Sequence, residues 1–415
     1  MSESPKPKTI RVNMLWNSIG SLTNLGCQWL ITILIVRLSS GYDAAGIYSL
    51  AISTYNIFGV IAQYRMYTYQ VSDVRRENTV GEYLALRIIT CGAALLLCTL
   101  YGIATCDATA WGAIALYAVF KTVTMLIDVF HACDQQNHRM DYIGISLAFQ
   151  GLITLAAFVL LFVISQSVEL ALIGMTFGVT FVGLGYDFGR TKQFGEIKVG
   201  ISRKKASHLL FSCLPIVIAG IAAAATASLP RQALSSIMGN EALGIYASVA
   251  APVAIIQMGA SYIYNPMLGY FSELHANNDT KGLIGLLAKA LGAIFLIGAI
   301  CIICFAVFGK WLLILLFGSS IAEYIYLLVP LVAFAIATGV QWFFNDLLIA
   351  LRDFRSTFIS SIASLIVVLI FEEPFITEYG SNGVTFVGLA ACASGLTVMV
   401  FALIKLLGKN SSLRP

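Results

Sequence analysis

Residues 11 to 38 read RVNMLWNSIGSLTNLGCQWLITILIVRL, a stretch with an arginine near each end and no acidic residue. A helix needs about 20 apolar residues to cross a bilayer, whereas a secretory h-region has only about 7 to 15 and ends in a small-residue cleavage site. The apolar run from about Val12 to Leu38 exceeds that length and lacks the site, so it reads as an uncleaved first span behind basic Lys6, Lys8 and Arg11. The rest of the chain follows suit. Of 415 residues, 59% are hydrophobic and 11% charged, against about 25% charged in a soluble domain. A soluble enzyme and a disordered protein are both excluded. The apolar content matches twelve spans of about 20 residues, which predicts an all-α polytopic membrane protein. The nine cysteines lie mostly inside apolar stretches, as small hydrophobes, and form no disulfide framework.

The further spans are expected at roughly 46–63, 83–105, 111–131, 142–164, 168–185, 209–229, 244–264, 283–308, 324–344, 358–371 and 383–407. Lys310 to Phe317 is too short to cross and is expected at the outer interface, with Trp311 at headgroup depth. With the N-terminus inside, 18 basic residues fall on the inner side and 2, Arg231 and Lys310, on the outer side. That asymmetry obeys the positive-inside rule and predicts cytoplasmic N- and C-termini. The acidic residues divide as 12 inner, 8 outer and one, Asp128, within a span. A basic inner loop, Tyr186 to His208, separates an N-terminal lobe (residues 1–185, six spans) from a C-terminal lobe (209–415, six spans). AAGIYSLA at Ala44 to Ala51 opens span 2 and ALGIYASVA at Ala242 to Ala250 opens span 8, which predicts two parallel repeats.

Polar groups in a bilayer face a bundle interior or a wet cavity. Asn13, Asn17, Ser21, Asn24 and Gln28 share one face of span 1, and spans 2 and 8 carry Ser49, Ser53, Asn56 and Gln63, and Gln257, Ser261 and Asn265. Helix-to-helix hydrogen bonding and a polar cavity lined by the two halves are both open readings of these stripes. Lys121 stands mid-span, too far from either end for easy snorkelling, on one face with Tyr117, Thr124, Asp128 and His131. It reads either as a cation that meets an anionic substrate or as one paired on another span. Arg37 and Arg231 lie at the outer ends of equivalent spans, and arginine suits phosphate through its bidentate fork. A snorkelling interfacial role fits Arg37 equally, because it projects away from the polar face. Arg87, Lys289 and Lys405 read as snorkelling near inner ends.

Soluble chemistry finds no foothold. GLGYDFG at Gly183 to Gly189 has the wrong spacing for a dinucleotide loop, and no Walker loop is present. His131, Cys133 and His138 make no convincing metal set. The expectation is therefore a non-enzyme with no cofactor, no metal and no nucleic-acid partner.

The opening NMLWNSIGSLTNLGCQWLITILIVRLSSGYDAAGIYSLAIS, followed by YRMYTYQVSDV at Tyr64 to Val74, resembles the polysaccharide and O-antigen flippases (Wzx type) of the multidrug/oligosaccharidyl-lipid/polysaccharide (MOP) exporter superfamily. The resemblance implies two six-span lobes around a central cavity that opens alternately to each side. It implies a flippase for undecaprenyl-diphosphate-linked oligosaccharide repeat units, moved from the cytoplasmic to the outer leaflet of a bacterial inner membrane for surface polysaccharide biosynthesis. By position, Arg37, Lys121 and Arg231 would hold the diphosphate, and Asn17, Asn24, Gln28, Asn56, Gln63 and Gln257 would line the cavity around the sugars. Asp128 would serve ion coupling to H⁺ or Na⁺, and the implied partners are lipid-linked oligosaccharide, membrane lipids and the polysaccharide polymerase machinery. Pro230 and Arg231 stand where many relatives carry an acidic residue.

Two other readings compete. A drug or organic-cation antiporter of the same superfamily needs carboxylates within its lobes, and Asp128 alone is clearly inside a span. A membrane-embedded glycan enzyme needs paired carboxylates on a sizeable outer loop, whereas the largest outer loops, Pro230 to Leu243 and Glu372 to Asn382, are short.

Overall fold

A computed structural model of the protein describes residues 7–73 and 75–411. Val74, Lys6 and Arg414 lie outside the described residues, as does the side chain of Lys409. Among the described residues there is no strand, and eleven helices are long and apolar enough to cross a membrane. The longest of them contains two of the expected spans. Gly239, at φ 87° and ψ 168°, breaks it into separate legs, a conformation that glycine adopts without a Cβ clash. All twelve expected spans are thus helical.

The chain divides into two compact units, Met1–Ala224 and Ala225–Pro415. The first contains α1 (Ile10–Leu38), α2 (Asp43–Gln63), α3 (Met66–Ser72), α4 (Val80–Thr105), α5 (Ala108–Gln136) and α6 (Met140–Ser165). It continues with α7 (Val168–Val182), a π-helical turn (Gly183–Asp187), α8 (Phe188–Thr191) and the start of α9 (Arg203–Tyr264). The second contains the rest of α9, α10 (Leu268–Ala276), α11 (Thr280–Phe317), α12 (Leu328–Ala350), α13 (Phe354–Tyr379) and α14 (Ser381–Ser411).

In the first unit, missing side chains set the packing of α1 on α6. A Cβ on Gly20 would lie 2.1 Å from the Gly144 carbonyl oxygen, and one on Gly151 would lie 2.8 Å from the Asn24 Cα. Small residues at such contacts let backbones approach where lipid offers no hydrophobic drive. The hydroxyl of Thr79 accepts from Glu82 N while Glu82 Oε2 accepts from Thr79 N, a capping box that starts α4. Beyond α2, Tyr64 and Arg65 both adopt positive φ, 43° and 56°, and end the helix without glycine or proline.

Each unit builds its fourth-to-fifth span turn in the same way. In the first, Arg139 N donates to Asp134 O at 2.9 Å around left-handed His138; in the second, Asp353 N donates to Leu348 O at 2.8 Å around left-handed Arg352. The tyrosines of the two sequence echoes, Tyr48 and Tyr246, are buried in their own units.

Several expected loops are helical. Helix α11 runs unbroken through Lys310 to Phe317, so that segment continues span 9 rather than lying apart. Pro230 and Arg231 sit inside α9, and Glu372 to Tyr379 are the last turns of α13. The inter-lobe loop also shrinks, because helical structure continues from α7 to Phe194 and α9 begins at Arg203. Leu209, Cys213 and Val217 of α9 pack with Tyr64, Met66 and Leu86 in the first unit. Lys205 Nζ donates to Glu82 Oε1 at 2.8 Å and ties the start of α9 to α4.

Candidate functional site

Lys121 lies in the middle of α5, and its side chain is partly exposed. Its Nζ stands over the rings of Tyr117 and Phe120, at 5.7 and 5.6 Å from their centroids, within the range of cation–π attraction. Tyr117 is held edge-on by Tyr48 and Tyr55 of α2, at 5.9 and 5.8 Å. Among the described residues no carboxylate comes within 4.0 Å of the Lys121 ammonium. A mid-span cation held over ring faces, with no carboxylate in direct contact among the described residues, can receive an anion.

Asn56 is exposed near the middle of α2 and Gln63 is exposed at its end. On α1, Asn24 Oδ1 accepts from Gln28 Nε2 at 3.1 Å, and both side chains, like Asn17, are partly exposed. Asn13 is used otherwise: its Nδ2 donates to His138 O at 2.9 Å, and its Oδ1 accepts from Met140 N at 3.0 Å. It fastens α1 to the α5–α6 turn. Arg37 is exposed at the end of α1, whereas Arg231 and Gln257, both partly buried, belong to the second unit.

Asp128 sits two turns beyond Lys121 and is 31% exposed. From it a polar network runs into the first unit. His131 Nδ1 is 3.9 Å from Asp128 Oδ1, and Nε2 is 3.3 Å from Asp187 Oδ1 and 3.1 Å from Ser146 Oγ. Ser146 donates to Asp187 Oδ2 at 2.8 Å and accepts from Gln150 Nε2 at 2.9 Å. Asp134, one turn past His131, is fully buried, and neither of its oxygens has a hydrogen-bond partner.

Arg87 does not snorkel. It is fully buried and donates to the carbonyls of Ala62 and Gln63, which the break at Tyr64 and Arg65 leaves without helical partners. Asp128 is likewise not alone among the acids, since Asp134 and Asp187 are carried into the core by helices that outlast the apolar stretches. The spacing of Asp128, His131 and Asp134, each three residues from the next, is the signal that extends the polar face of α5.

No family model matches the chain. Among solved structures it is similar to the lipid II flippase MurJ in an inward closed conformation, with a TM-score of 0.74, 13% identity, and coverage of 96% of this chain and 90% of that one. It is also similar to an inward-facing multidrug resistance MATE family transporter of the MOP superfamily, with a TM-score of 0.70, 11% identity, and coverage of 97% and 99%. The chain has the fold of the MOP-superfamily transporters. It is a multi-pass membrane protein. Among curated proteins it is 22% identical over 376 residues to the capsular polysaccharide biosynthesis protein CapF of Staphylococcus aureus, covering 89% of this chain and 93% of that protein.

Proposed function

We propose that this protein is a flippase for undecaprenyl-diphosphate-linked oligosaccharides, moving them from the cytoplasmic to the outer leaflet of a bacterial inner membrane during surface-polysaccharide synthesis. The observation that carries this reading is Lys121, a mid-span cation over Tyr117 and Phe120 with no carboxylate within ion-pair distance among the described residues. Its ammonium meets the diphosphate, and exposed Asn56 and Gln63 offer hydrogen bonds to the sugars. Arg37 and Arg231 are assigned further contacts with the diphosphate, and Asn17, Asn24, Gln28 and Gln257 further contacts with the sugars. Similarity to a capsular polysaccharide biosynthesis protein and the fold shared with a lipid II flippase both support the substrate class.

A second reading, an organic-cation antiporter, draws support from buried Asp134 and Asp187 together with partly exposed Asp128. The two separate in one experiment. In liposomes containing the purified protein and a labelled lipid-linked oligosaccharide, the flippase reading expects protein-dependent movement of the label between leaflets. Efflux of an organic cation with no movement of the lipid would overturn it in favour of the antiporter.

A further inference from the structure

The network in the first unit has a charge inventory that its protein groups do not balance. Arg87 and Lys121 are two cations, and Asp128, Asp134 and Asp187 are three potential anions. Arg139 and Asp141 cancel, bound through Nε and Nη2 at 2.8 and 2.7 Å. With His131 neutral, the set is one positive charge short. Water is not at hand to screen the deficit, since Asp134, Asp187 and His131 are all buried, and an unbalanced charge in such a place is expensive.

The deficit centres on Asp134. Its carboxyl is fully buried with both oxygens unpartnered, while Asp187 accepts from Ser146 and faces His131 Nε2. His131, Asp187, Asp141 and Arg139 are close enough for their charges to act on Asp134. Among the described residues no three His, Cys, Asp or Glu side chains converge as metal ligands.

The second unit serves as an internal control. Counted from the left-handed residues His138 and Arg352, the positions matching Lys121, Asp128, His131 and Asp134 are Ala335, Trp342, Asn345 and Leu348. Leu348 accepts the same turn hydrogen bond that Asp134 accepts. Ser360 and Ser364, matching Ser146 and Gln150, donate only to the carbonyls of Gly395 and Ala391. At the positions matching Lys121, Asp128, His131 and Asp134 the second unit therefore carries no charge, its acids near this turn standing elsewhere at Asp346 and Asp353. This helix pair and turn thus form without acids at the positions of Asp128 and Asp134.

We infer that Asp128, His131 and Asp134 form a proton-binding column along α5 that holds one exchangeable proton. The proton rests on the Asp134 carboxyl, whose two oxygens are buried without a partner, and exchanges through Nδ1 of His131. Ser146 gives its own hydrogen to Asp187, so His131 keeps a hydrogen on Nε2 facing Ser146 and Asp187, and an arriving proton takes Nδ1, which faces Asp128. Asp128, partly exposed, is the point of exchange.

The other titratable or charged groups around the column are few. Tyr67 of α3 donates to Gln135, Cys133 of α5 is buried beside Asp134, and Arg87 approaches from α4. Arg139 and Asp141 come from the α5–α6 turn and α6, with Tyr186 and Asp187 from the π-helical turn and Arg190 of α8 over the rings of Tyr142 and Tyr186. The only charged residues of α2 and α7, Asp43 and Glu169, stand at their far ends.

As a proton site the column stands by itself; as the coupling site of transport it rests on the function proposed above. Infrared spectra of the wild type in lipid at neutral pH should contain a carboxylic-acid carbonyl band that shifts in D₂O. Asp134→Asn and Asp134→Leu should lose it, the latter introducing the residue that the second unit already carries, and Asp43→Asn should keep it. In liposomes, an imposed pH gradient should change the flux of lipid-linked oligosaccharide in the wild type and leave the flux of Asp134→Leu unchanged. A wild-type spectrum without the band, or a band untouched in both Asp134 variants, overturns the proton site. Flux that follows a sodium gradient and ignores a pH gradient overturns the coupling role. The band without any lipid flux leaves the proton site in place and removes the flippase reading.

Discussion

Replacing Gly144 by alanine should loosen α1 from the first unit. The added Cβ lands 2.1 Å from Trp16 O and 2.5 Å from Trp16 C. Both are backbone atoms, so no rotamer change relieves the clash and α1 must retreat by roughly 1 Å, an overpacking that costs about 2–3 kcal/mol. The retreat pulls on the two hydrogen bonds that Asn13 makes to His138 O and Met140 N, each worth about 1 kcal/mol. Better helix propensity returns about 1 kcal/mol, for a net loss of about 2–4 kcal/mol. Gly26, on α1 itself, has nothing within 4 Å of the position its Cβ would take. Gly26→Ala should therefore be neutral or stabilising by up to about 1 kcal/mol. Thermal unfolding of the purified variants, and maleimide labelling of buried Cys27 on α1 read by mass spectrometry, test the contrast. Gly144→Ala should melt earlier and label faster than Gly26→Ala. Equal melting and equal labelling would refute the account of how α1 and its polar face are positioned.

Ser146→Ala removes the donor to Asp187 and the acceptor for Gln150, and should cost about 1–3 kcal/mol in chemical unfolding. Ser360→Ala removes only a bond to the Gly395 carbonyl and should cost about 1 kcal/mol. Outside the spans, burial raises the Asp73 carboxyl, but hydrogen bonds from Glu77 N, Asn78 N and the Tyr83 hydroxyl outweigh it and hold it below its ordinary range. A depressed folded-state value means that Asp73 contributes stability above the ordinary carboxylate range and loses it as pH falls through the lowered value. Asp73→Asn should flatten the acid limb of a stability-against-pH curve.

The helical order was legible because apolar stretches and the distribution of lysine and arginine both follow directly from the cost of polar groups in lipid. The echo at Gly46–Tyr48 and Gly244–Tyr246 was legible because the same buried tyrosine is needed in each unit. Arg87 was misread for a physical reason. What buries it is a pair of freed carbonyls at the end of α2, produced by positive φ at Tyr64 and Arg65, residue types that give no turn signal. Asp134 and Asp187 were missed because apolar content falls where the helices carry their polar side chains inward. The α5 helix continues to Gln136 and a π-helical turn continues α7, so both acids are core residues. Lys121 was legible as a mid-span charge, while its aromatic seat depends on α2 bringing Tyr48 and Tyr55 against Tyr117.

The central claim is that Lys121 meets the diphosphate of a lipid-linked oligosaccharide. A charge–charge contact near 4 Å at an effective dielectric of about 20 is worth about 4 kcal/mol, so Lys121→Met should slow the movement of labelled lipid-linked oligosaccharide across liposomes by roughly a thousandfold. Lys121→Arg, which keeps the charge, should retain a substantial part of the rate. Wild-type rates in a folded, correctly inserted Lys121→Met would contradict the account.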